Sequence, residues 1–192
     1  MVGPIMSEVE TPRYEVLDSE RNIELRLYQP MIIAEVELSG ARKPTIGEGF
    51  RLIADYIFGN NKAQLEINMT APVNQQKKQI ISMTAPVQQK MEGQSWKVSF
   101  IMPAKYTIDS LPKPNNSRIM LKKIPSKKFL VIRFSGSNSD ANLRNHENKL
   151  MNYIKTKKID TTGFPKYAFY NPPWTLPPLR RNEVMIEINS KS

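Results

Sequence analysis

Residues 23–40 and 119–136 are stretches of equal length that align without a gap, and a chain that repeats itself on this scale folds most simply as two like halves. Ile23 matches Ile119, Leu25 matches Leu121, Arg26 stands against Lys122, and Ser39-Gly40 matches Ser135-Gly136. Each stretch reads as a hairpin leading into an amphipathic helix. Strands carrying a proline-broken segment follow, at 69–73 in one half and 170–174 in the other.

The periodicity fills in the rest. Short strands are expected at 14–18 and 23–28, and Ile32, Ala34, Val36 and Leu38 form one face of a third, opposed by Glu35 and Glu37. Thr45 and Glu48 have capping-box spacing, and Ile46, Phe50, Ile53 and Ile57 line one helical stripe that ends at Gly59-Asn60. Gly47 and Gly49 weaken its first turn. A second helix is expected from about 139 to 158, opened by Ser137 and Asp140 and burying Leu143, Leu150 and Ile154. Further strands are expected at 96–102, 119–134 (a hairpin turning near Pro125-Ser126), 167–170 and 183–188.

Met-Thr-Ala-Pro-Val occurs twice, at 69–73 and 83–87. Leu65, Ile67, Met69, Ala71 and Val73 alternate with polar residues, as do Ile81, Met83, Ala85 and Val87 around Ser82 and Thr84. The pattern predicts two antiparallel strands joined by a polar loop at 74–79, with Pro72 and Pro86 marking a sheet edge or strand end. The fold class that results is α+β: two pseudo-symmetric halves sharing one curved, mainly antiparallel sheet covered by two helices, with a groove between the halves.

Residues 1–12 read as a flexible tail and 13–189 as a single domain. With no cysteine, a disulfide framework, a zinc-thiolate site and a cysteine nucleophile are excluded. One histidine, no Gly-rich phosphate loop and no Gly-x-Ser-x-Gly elbow argue against an enzyme. No stretch reaches membrane-spanning length, so a cytoplasmic protein without a transmembrane segment is expected. The net charge of +10 is concentrated in the second half. The basic run at 118–133 lacks interleaved aromatic residues, which argues against nucleic acid as a partner.

Several motifs, in order, resemble the SOUL heme-binding family over residues 14–188. They are Tyr14-Glu15-Val16-Leu17, Tyr28-x-Pro30, Tyr56-Ile57-Phe58-Gly59-Asn60, the Met-Thr-Ala-Pro-Val copies and Leu111-Pro112-Lys113-Pro114. Arg133-Phe134-Ser135-Gly136, Tyr170-Asn171-Pro172-Pro173-Trp174 and Arg180-Arg181-Asn182-Glu183-Val184 complete them. The resemblance implies a distorted antiparallel β-barrel of two pseudo-symmetric halves flanked by two α-helices, and a protein that binds heme or a related tetrapyrrole in a hydrophobic groove beside the first helix. The same duplicated scaffold resembles effector-binding domains of bacterial transcription regulators. The alternatives are therefore a binding module for another small hydrophobic effector with a regulatory role, or an enzyme acting on such a ligand.

For the ring of such a ligand, Phe50, Ala54, Ile57 and Trp174 are the candidates, Trp174 being either a stacking platform or a plug at the barrel end. For its carboxylates the candidates are Arg51, Arg180 and Arg181, or the arginine pair instead holds the preceding turn. His146, Met69 and Met83 are possible iron ligands, but their helix and strand periodicity places them among packed residues. Heme is therefore expected without a strong axial protein ligand, and no metal-binding residue is assigned.

Overall fold

The computed structural model describes residues 9–77, 95–171 and 174–189. Its strands are β1 (Tyr14–Glu20), β2 (Ile23–Tyr28), β3 (Met31–Ser39), β4 (Val73–Lys77), β5 (Ser95–Ile101), β6 (Met120–Ile124), β7 (Lys127–Phe134), β8 (Thr161–Phe169) and β9 (Asn182–Ile188). Helix α1 (Arg42–Ile57) follows β3 and α2 (Asp140–Lys157) follows β7. All the strands share one antiparallel, curled sheet in the order β1-β2-β7-β9-β8-β4-β5-β3-β6. The fold is α+β, a half-barrel flanked by two helices, and the order past β1 maps onto itself when the halves are exchanged.

The repeat does not form two hairpins, however. β2 pairs with β7 and β3 pairs with β6, so each arm leaves its own half and pairs with the other. One register runs through both pairings, from Ile23 opposite Ile132 to Tyr28 opposite Lys127, then from Met31 opposite Ile124 to Glu35 opposite Met120. A two-residue hairpin requires positive φ at the turn, and neither Gln29-Pro30 nor Pro125-Ser126 supplies it. Proline also holds its predecessor extended, so each connection is a kink that carries the strand onward. Between β1 and β2, where Arg21 has φ 56°, the chain does reverse.

Both helices pack on the same sheet face, α1 on β3 and β5, α2 on β7 and β9. α1 opens at Arg42 behind Ala41, which makes no side-chain cap. The expected capping box is absent, because the Thr45 hydroxyl donates to the Arg42 carbonyl inside the helix. Arg42 instead reaches across to α2, with Nε 2.6 Å from Asp140 and Nη2 2.7 Å from the Asn138 carbonyl. The buried face is Arg42, Thr45, Gly49, Ile53, Ala54, Tyr56 and Ile57; Ile53 and Ile57 of the expected stripe are in it, but Ile46 is half-buried and Phe50 exposed, a partial rotation. Gly49 accounts for the rotation: a Cβ there would lie 2.6 Å from the Val98 Cβ, so the missing side chain lets α1 press onto β5. α2 is capped at Ser139, two residues beyond Ser137, by the bond from the Asn142 N–H.

The first Met-Thr-Ala-Pro-Val copy is mostly irregular. Thr70 donates to the Ile101 carbonyl, and ladder pairing begins only at Val73, beyond Pro72, which has no N–H to give. The expected loop at 74–79 is thus largely the strand β4, held between β5 and β8. The second copy, with Met83, lies outside the described residues. β8 is longer than the 167–170 expected, with a register shift between Thr162 and Lys166 around Gly163 at φ 74°. Tyr56 of the family motif joins a distant segment by donating to the Pro112 carbonyl at 2.6 Å, and the buried Asn61 just beyond that motif bonds the nearby backbone of Tyr56, Ala63 and Leu65.

Candidate ligand-binding site

Alternation along each strand gives the sheet two unlike faces. Leu130, Ile132, Phe134, Val184 and Ile186 meet Leu143, Leu150 and Ile154 of α2. Their neighbours Phe129, Val131 and Met185 turn the other way and form, with Tyr28 and Ala168, a cluster on the helix-free face.

This second face carries buried charge. Arg26 and Glu183 are both fully buried and form a two-pronged pair, Nη1 and Nη2 each donating at 2.8 Å to one carboxylate oxygen. Arg26 also donates to Glu24 at 2.6 Å and to the Tyr28 hydroxyl at 2.9 Å, and lies 4.2 Å from the centre of the Tyr14 ring. Burial opposes its charge, but the bonds and field of Glu183 hold its pKa above the usual arginine range. Burial likewise pushes the Tyr28 and Tyr170 phenols up.

An open cavity of about 580 Å³ begins beside the kinks, lined by Pro12, Arg13, Pro30, Met31, Met102, Tyr106, Ile108, Lys123 and Ile124 among others. The segment from Glu10 closes one wall, its carbonyl accepting from the Ala71 N–H at 3.0 Å and its carboxylate from the Ala104 N–H at 2.9 Å. The cavity continues into a recess of about 30 Å³, shared at Pro12, Met31, Ile101, Ile124 and Pro125. The recess is lined further in by Tyr28, Asn74, Phe129, Lys166, Tyr170 and Met185. None of the described ligand-contact candidates from the sequence lines either space, although Tyr28, Pro30 and Tyr170 of the family motifs do.

Those residues fall into two groups on different elements. On α1, Ala54 and Ile57 are packed inward, while Phe50 is 40% exposed with its ring centre 5.5 Å from that of Phe100, and Arg51 is exposed. Phe58, one helical turn beyond Ala54, is 62% exposed and extends the same line. In the β8–β9 connection Trp174 is 82% exposed and plugs nothing. Arg180 donates to the Thr175 carbonyl at 2.7 Å, which ties the turn together. Arg181 bonds Glu183 at 3.0 Å and the Tyr14 hydroxyl at 3.0 Å, and covers the Tyr170 ring at 3.9 Å. His146 is stacked on Phe134 at 3.9 Å with Nδ1 2.8 Å from the Asn142 carbonyl, and Met69 packs against the core of the first half. Both are packing residues.

The family model for SOUL heme-binding proteins matches residues 9–187. The chain belongs to the SOUL family. Comparison with curated proteins gave no match. Among solved structures, the C-terminal domain of EcmrR is similar at 12% identity and TM-score 0.62, over 92% of this chain and 98% of that one. A protein from Listeria innocua described as a hydrolase is similar at 11% identity and TM-score 0.58, over 90% of this chain and 94% of the other. SAV2435, solved bound to tetraphenylphosphonium, is similar at 12% identity and TM-score 0.53, over 88% and 95%. At such identities the likeness is one of fold. No described helix of this SOUL protein is long and apolar enough to cross a membrane.

The residues that sequence reasoning missed are Asn74, Lys166 and Tyr170. Asn74 lay in an expected loop, and Lys166 stands just outside the strand expected at 167–170. No local signal marks either, because the sheet pairing that joins β4 to β8 links positions 90 or more residues apart.

Proposed function

We propose that this SOUL protein is a non-enzymatic carrier that binds heme or a related tetrapyrrole reversibly on the outer face of α1. The observation that carries the reading is the pair of exposed phenylalanines, Phe50 and Phe58, with Arg51 beside the first and Ala54 packed inward between them. A surface helix that leaves two phenylalanines in water is suited to a flat apolar partner. Heme, when bound, supplies a redox-active iron and two carboxylates. The chain's part is to cover one ring face with Phe50 and Phe58 and to grip a carboxylate with Arg51. Arg180 and Arg181 already bond the turn and Glu183, so the carboxylate role falls to Arg51. Trp174, fully in reach of solvent, is available to stack. With the one histidine of the chain stacked on Phe134, contact rather than axial ligation does the holding.

A hemin titration tests this. A saturable Soret change at micromolar protein is expected. Phe50→Asp should weaken binding about tenfold, as one buried aromatic contact is removed, and His146→Ala should leave affinity within about twofold. A titration with no saturable change would refute the reading.

A second reading is favoured by the cavity on the opposite face. EcmrR and SAV2435 share the fold, and SAV2435 binds a lipophilic cation, so an effector site with a regulatory role is its counterpart here.

A further inference from the structure

The recess on the helix-free face is built of hydrogen-bond donors that have no acceptor. Asn74 is only 6% exposed, yet its side-chain amide makes no hydrogen bond among the described residues and lines the recess. The amide opens onto the recess and is free to donate to a group bound there. Lys166 lies diagonally across the β4–β8 ladder on the same face, since Gln76 is opposite Lys166 and Asn74 is opposite Ala168. Its ammonium sits 4.8 Å from the centre of the Phe129 ring and forms no ion pair among the described residues. The carboxylates nearest in charge are already occupied, Glu187 by Lys127 at 3.2 Å and Glu35 by Lys122 at 2.6 Å. Tyr170 also lines the recess; its hydroxyl makes no hydrogen bond among the described residues, and its ring is covered by Arg181.

The charge on this face decides what such donors are for. The central carboxylate, Glu183, is held by both Arg26 and Arg181, which leaves it no unmatched charge to offer a cation. Lys166 remains as an unmatched positive charge, half buried, and burial with the repulsion of Lys127 pushes its pKa down to about 8. A group in that position gains from an anion brought to it.

We propose that the helix-free face is a binding site for an apolar carboxylic acid, with the carboxylate in the recess accepting from Lys166, Asn74 and Tyr170 and the apolar body in the adjoining cavity. The volumes agree with that division: about 30 Å³ admits a head group and not a ring, whereas about 580 Å³ lies within the range of small-molecule sites. The wider space is walled by Met31, Met102, Tyr106, Ile108 and Ile124, a surface matched to an alkyl or aryl body. This site is separate from the α1 face and does not depend on the tetrapyrrole reading.

The test uses two fluorescent probes alike but for the head group, 1-pyrenebutyric acid and 1-pyrenebutanol, titrated against the whole protein near pH 7. The acid should bind at least about tenfold more tightly than the alcohol, the preference expected of a charge-assisted hydrogen bond away from bulk water. Lys166→Met should bring the two within about twofold of each other while leaving the alcohol unchanged. Equal affinity of acid and alcohol for the native protein would overturn the proposal, as would an acid preference that survives Lys166→Met. If Lys166→Met does not fold, Asn74→Ala combined with Tyr170→Phe must weaken the acid at least about threefold without weakening the alcohol; failure to do so overturns it equally.

Discussion

Glu183→Gln isolates the physical role of the buried pair at the middle of the sheet. The change keeps the shape of the side chain and removes its charge, leaving Arg26 fully buried against a neutral amide. Breaking a buried pair from one side costs about 3–5 kcal/mol, most of it the uncompensated charge left behind. Arg26 keeps one carboxylate, Glu24 at 2.6 Å and 29% exposed, which places the loss at the lower end, about 3 kcal/mol. Arg26 stays protonated throughout the accessible pH range, so it cannot escape the cost by giving up its proton. For a chain of this size each kcal/mol lowers Tm by about 2–4 °C, and a fall of roughly 6–12 °C is expected. Thermal and urea unfolding followed by circular dichroism would measure it. Replacing both partners, Arg26→Met with Glu183→Leu, should recover part of the loss, because no fully buried charge is left, although the partly buried Arg181 still lacks its carboxylate. A single-variant loss below about 1 kcal/mol, or a double variant no better than the single, would refute the reasoning.

Gly49→Ala should destabilise by about 1–2 kcal/mol despite alanine's better helix propensity, because its Cβ meets three atoms of the buried Val98 at 2.6–2.9 Å. Adding Val98→Ala should return part of that loss, as read from urea midpoints. Lys166 predicts a pH dependence. Its folded pKa of about 8 lies below the ordinary 10.5, so between these values the unfolded chain binds more protons and stability should rise with pH. The rise should be absent in Lys166→Met, compared by urea midpoints near pH 8 and near pH 10. Asn61→Ala removes a buried amide that bonds the backbone at Tyr56, Ala63 and Leu65, and should cost about 2–3 kcal/mol in the same assay.

The positions of both helices, the two halves and the family were legible in the sequence because each depends on local period or on motif order. The packed roles of His146 and Met69 were legible in the same way, from their place on apolar stripes. Of the buried face of α1, Ile53 and Ile57 were legible, but its start and the inward turn of Arg42 and Gly49 were not. Arg42 is buried because it meets Asp140 and Asn138 almost a hundred residues away, and the helix turns Gly49 rather than Phe50 to the sheet because of Val98. Alternation around Met69 suggested a strand, but Pro72 cannot donate to a ladder, and pairing waits until Val73.

By itself the sequence determined that this protein has two like halves, each with an amphipathic helix, since hydrophobic period and repetition are properties of the chain alone. Tertiary structure decided which arm pairs with which. Proline at each kink carries β2 and β6 past their own halves, and the exchange places Arg26 beside Glu183 on the helix-free face. It also decided where the unmatched donors meet, because Asn74 and Lys166 become neighbours only when β4 and β8 pair across the two halves. Strand pairing is non-local, and its energy is spread over a ladder that no short segment contains.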